Sequence, residues 1–78
     1  MKILRPAQIA QAQLFINRAE PGGYQIEEIF GENWKEISST HYLYAQRFRI
    51  SVTRRLFENI KCIQRYYGEP SLYNIYPD

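Results

Sequence analysis

A chain of 78 residues, 45% of them hydrophobic and 15% aromatic, with a formal net charge of +2, is one domain with enough apolar residues for its own core. Cys62 is the single cysteine, which excludes an internal disulfide and the disulfide-braced plan of small extracellular domains. Lys2 and Arg5 precede a stretch broken by Gln8, Gln11 and Gln13; that is neither a signal peptide nor a membrane span, so a cytoplasmic location is expected.

The charge is unevenly spread. Residues 20–36 carry Glu20, Glu27, Glu28, Glu32 and Glu36 against Lys35 alone. Residues 41–65 carry Arg47, Arg49, Arg54, Arg55, Lys61 and Arg65 against Glu58 alone. An acidic first half and a basic second half point to a two-faced molecule, although charges of either sign also serve simply to solvate a surface.

Pro6 suits a first helical turn, where its missing N–H has no intrahelical partner to lose. From there to Ala19, Ile9, Ala12 and Ile16 form one stripe with Leu14 and Phe15 beside it, which predicts an amphipathic helix. Pro21-Gly22-Gly23 ends it. Tyr24-Gln25-Ile26 lies extended or leads straight into a short helix from Glu27 to Phe30, stopped by Gly31. Asn33 to Glu36 has the spacing of a capping box, and Ser38-Ser39-Thr40 offers a new cap almost at once. The longest periodic segment then runs from Thr40 to about Thr53. His41, Ala45, Phe48 and Val52 make its expected core face, with Tyr44 at the flank; Arg47, Ser51 and Arg54 recur on another side, near Leu43. Residues 60–67 and 72–76 are rich in β-formers, and Gly68-Glu69-Pro70-Ser71 between them is a turn of hairpin length. Three helical pieces followed by a hairpin give an α+β fold of winged helix-turn-helix type, with the third helix as reader and the hairpin as wing.

Tyr24-Gln25-Ile26-Glu27-Glu28-Ile29-Phe30, Trp34-Lys35-Glu36-Ile37-Ser38 and Ala45-Gln46-Arg47-Phe48-Arg49-Ile50-Ser51-Val52 together resemble the pattern of a family of small bacterial and phage proteins known as a domain of unknown function, DUF1413. The resemblance covers residues 24–60, with Ala45 where the family tends to have Gly. It implies a small helix-turn-helix-like domain from a bacterium or mobile element. It lends no established activity.

The composition gives little purchase for catalysis. His41 and Cys62 are the only histidine and cysteine, and no third group completes a nucleophile–base pair. Glu27 and Glu28 are adjacent on a helix and point to different sides. No cluster of metal ligands and no glycine-rich phosphate loop is present, so neither a metal nor another cofactor is expected. Phe30 and Trp34 are best read as pins holding short helices to the core.

A binding role fits better, and two partners compete for the same surface. For double-stranded DNA, Ser39 and Thr40 would hold phosphate at a helix start, Tyr42, Gln46 and Arg49 on one outward side of the long helix and Leu43, Arg47, Ser51 and Arg54 on another would face the duplex, and Lys61 and Arg65 on the hairpin would contact flanking phosphate. Specificity from so small a module calls for a homodimer. For a protein partner, Tyr66, Tyr67, Tyr73 and Tyr76 would offer a hairpin edge for strand addition, in a module that inhibits or adapts a larger host complex. Single-stranded nucleic acid on the aromatic hairpin is the less economical third reading.

Overall fold

A computed structural model describes residues 3–41, 43–63 and 72–77. Four helices pack on a three-stranded antiparallel sheet: α1 (Pro6–Arg18), β1 (Gly22–Tyr24), α2 (Ile26–Phe30), α3 (Asn33–Thr40), α4 (Tyr44–Thr53), β2 (Ile60–Ile63) and β3 (Leu72–Ile75). The sheet order is β1-β3-β2, so β3 is central. Register pairs Tyr24 with Tyr73 and Tyr73 with Cys62 on the core side, and sets Gly23, Asn74 and Lys61 in one row on the other. No helix among the described residues is long and apolar enough to cross a membrane.

Pro6 is the first residue of α1, and the Gln8 side chain reaches back to accept the Arg5 N–H at 2.9 Å. Glu28 does the same for the Gln25 N–H at 2.9 Å, so part of the acidic segment is a helix-start device. Asn33 is not the cap expected from its spacing. It lies inside α3, and its amide donates to the Phe30 carbonyl at 3.5 Å.

The core is aromatic and centres on α4. Phe48 is fully buried, with the rings of Phe30, Phe57 and Tyr73 at centroid distances of 5.7, 5.2 and 5.1 Å. Phe30 in turn packs on Phe15 at 5.0 Å and on Trp34 at 5.9 Å, which fastens α1, α2 and α3 to one another. Tilted and edge-on rings of this kind add to the stabilisation from area burial alone.

Two sequence expectations are corrected here. The segment from Thr40 to Thr53 is not one helix. α3 continues through Ser38-Ser39-Thr40, and α4 begins only at Tyr44. Leu43 makes the turn in the left-handed region with φ 58°, at roughly 1–2 kcal/mol for an L-residue. No Gly, Pro or Asn marks the break. The expected hairpin gains a third strand, β1, in the Gly22–Tyr24 stretch read mainly as a helix stop. The expected turn Gly68-Glu69-Pro70-Ser71 lies outside the described residues, as does the stretch 64–67 expected to extend the first strand.

Candidate nucleic-acid interface

α4 has one face locked and one face open. Tyr44, Phe48, Ser51 and Val52 are buried. On the opposite face Gln46, Arg49, Ile50 and Thr53, spaced three, four and seven residues apart, line a shallow groove of about 350 Å3. Gln46, Arg49 and Thr53 are exposed and Ile50 is half-buried. Arg47 and Arg54, two turns apart, share a flank of this face; Arg47 is half-buried and Arg54 exposed.

This differs from the expected stripe at its centre. Ser51 has no solvent exposure. Its hydroxyl donates to the Arg47 carbonyl at 2.8 Å and accepts the Leu4 N–H at 3.0 Å. Ser51 is therefore a fastener that draws the segment before α1 across α4, and it cannot touch DNA. Ala45, expected in the core, is exposed.

That fastening builds a second feature. With Leu4 held on Ser51, Arg5 comes beside Arg47, and both line a cleft of about 440 Å3 together with Ala7, Gln8, Thr40, His41 and Tyr44. The cleft opens at the start of α1, where the helix dipole favours an anion. The Gln8 oxygen is committed to the Arg5 N–H, so its amide nitrogen must donate to His41 Nδ1, 3.2 Å away. The ring proton of His41 is thereby placed on Nε2. Two arginines and a threonine hydroxyl in one cleft suit a phosphate group.

Burial pushes the Tyr44 phenol from its ordinary 10.0 up to about 12. The folded chain keeps this phenol neutral while the unfolded chain ionises it. The stabilisation is thus complete below pH 10.0 and is lost as pH rises towards about 12. Urea midpoints followed across this window are expected to fall more steeply for the wild type than for Tyr44→Phe, and equal slopes would contradict the assignment.

The remaining sequence candidates separate. Ser39 and Thr40 do not start the reading helix. They end α3, and the Ser39 hydroxyl donates back to the Glu36 carbonyl at 3.1 Å, so only Thr40 reaches the arginine cleft. Lys61 is exposed on the outer row of the sheet, its Nζ 5.6 Å from the centroid of the Tyr76 ring. Tyr42 and Arg65 lie outside the described residues, as do Tyr66 and Tyr67. Tyr73 is buried in the central strand, so strand addition at β3 has no open edge; β1 and β2 are the outer strands. His41 and Cys62 line different clefts, and among the described residues no group of three or more His, Cys, Asp or Glu could hold a metal. Sequence reasoning missed Arg5 and Gln8, whose signal, an unusual non-cap residue before Pro6, gives no hint of a partner some forty residues away. Comparisons with protein-family models, curated proteins and solved structures found no match to this chain.

Proposed function

We propose that this domain binds double-stranded DNA in the manner of a winged helix-turn-helix, presenting the outer face of α4 to the major groove. The observation that carries this reading is the two-sidedness of α4. Its inner face is fixed in the core, and its outer face offers Gln46 and Arg49, residue types that bond adenine and guanine edges in bidentate fashion. The short turn from α3 into α4 and the strand between α1 and α2 that joins the hairpin both suit the winged form. Arg5 and Arg47 in their cleft would grip a backbone phosphate beside the reading helix, with Lys61 on a flanking one. The exposed Glu27, Glu28 and Glu32 belong to α2 and the turn after it and would stay clear of the duplex, whereas Glu36 on α3 lines a cleft with Thr40 and His41. A single α4 reads few base pairs, so two copies on a palindromic site are part of the proposal.

Titrating labelled duplex with the protein at two salt concentrations tests it. If Arg5, Arg47 and Lys61 each neutralise a phosphate, every bound copy adds about −2.7 to the slope of log K against log salt, a loss of roughly forty-fold per copy from about 50 to about 200 mM. Failure to bind duplex at the lower salt would overturn the reading.

A further inference from the structure

A separate cleft of about 530 Å3 lies along the outer strand β2, lined by residues at and after the end of α4, on β2 and just after β3, and it shares no residue with the arginine cleft at α1. Val52, Phe57 and Ile60 give it an apolar lining, while Arg55, Lys61 and the Tyr76 ring supply charge and an aromatic face. No carboxylate lines it among the described residues. We propose that this cleft binds a small organic anion, an apolar or aromatic body bearing one carboxylate or phosphate.

The volume falls within the usual range for small-molecule sites, which combine an apolar lining with a few placed polar groups. The placement of Arg55 points the same way. α4 closes with the Arg55 N–H on the Val52 carbonyl at 2.9 Å and the Leu56 N–H on the Ser51 carbonyl at 3.1 Å. In this ending the residue after the cap is left-handed and is usually glycine, yet here it is Arg55 with φ 61°. The strained position brings a guanidinium to the cleft where the fold alone would favour no side chain. Strain of this kind gathers at ligand clamps.

The wall is also held in place before any ligand arrives. Phe57 is buried against Phe48 at 5.2 Å. Gln13 on α1 clamps the next residue from both sides, donating to the Glu58 carbonyl at 3.1 Å and accepting its N–H at 2.9 Å. The ammonium of Lys61 is steadied over the Tyr76 ring at 5.6 Å. A preformed cleft spares a ligand the cost of ordering its site. Two cations beside apolar surface then select for a molecule with both characters, because a bare phosphate gains nothing from the lining and a neutral ring nothing from Arg55.

Amide chemical shifts followed during titration with phenyl phosphate, inorganic phosphate and phenol test this. Phenyl phosphate is expected to give saturable shifts at Arg55, Phe57, Ile60 and Lys61, with inorganic phosphate and phenol each at least about tenfold weaker. Arg55→Gln should weaken phenyl phosphate by about tenfold, whereas Arg18→Gln, on α1, should leave it unchanged. Arg55→Gly removes the same charge while favouring the left-handed backbone, so the fold survives and the comparison stands. Absence of saturable shifts, phenol binding as tightly as phenyl phosphate, or Arg55→Gly binding like the wild type would each overturn the proposal.

Discussion

Phe48→Ala is expected to remove about 3–5 kcal/mol of stability. A domain of this size is stable by only about 4–12 kcal/mol in total, so the variant should melt far below the wild type or fail to fold. The reason is position. Phe48 meets α2, the strand β3 and the segment after α4 at once, through Phe30, Tyr73 and Phe57. Removing it leaves a void bordered by aromatic side chains that are themselves pinned elsewhere and cannot collapse inward. Thermal unfolding followed by circular dichroism measures the effect. A melting temperature within a few degrees of the wild type would mean that the aromatic hub does not hold the domain together.

Arg49→Ala is expected to reduce preference for the cognate site by about 1–3 kcal/mol while lowering the melting temperature less than Ser51→Ala does. Arg49 is exposed on the face of α4 opposite the buried Tyr44, Phe48 and Val52. Ser51→Ala is the matched opposite. It deprives the buried Leu4 N–H of its acceptor and is expected to cost about 1–3 kcal/mol of stability, with DNA affinity falling only as the Arg5 cleft loosens. Measuring melting temperature and duplex affinity for both variants separates the two roles. An Arg49→Ala protein that loses stability but keeps its site preference would reverse the assignment.

The contrast between these two residues also shows how far the sequence could be read. α1 was legible to within a residue, because Pro6 and Pro21-Gly22-Gly23 mark its ends chemically. The two hairpin strands were legible from their β-formers. The face of α4 was not. A spacing of four, three and four fits His41, Ala45, Phe48 and Val52, and a spacing of four, three and one fits the observed Tyr44, Phe48, Ser51 and Val52. Both sets contain Phe48 and Val52. What decides between them is the demand of Leu4 for an acceptor, a contact spanning 47 positions that no local pattern records. The turn before α4 was hidden for a related reason: Leu43 adopts a left-handed backbone that its residue type disfavours, and the surrounding packing sustains it. Of the residues named from the sequence, Gln46, Arg49, Arg54 and Lys61 are exposed and Arg47 is half-buried, whereas Ser51 is buried; Arg5 and Thr53 are additions from the structure to the proposed surface.

The most direct test of the central claim, that the outer face of α4 with the arginine cleft is the DNA surface, is the pattern of amide shifts when duplex is added to the labelled protein. The account predicts the largest changes at Arg5, Ala7, Thr40, Gln46, Arg49 and Thr53, with Glu27, Glu28 and Glu32 unmoved. Changes concentrated on those glutamates, or spread evenly with none on α4, would contradict it.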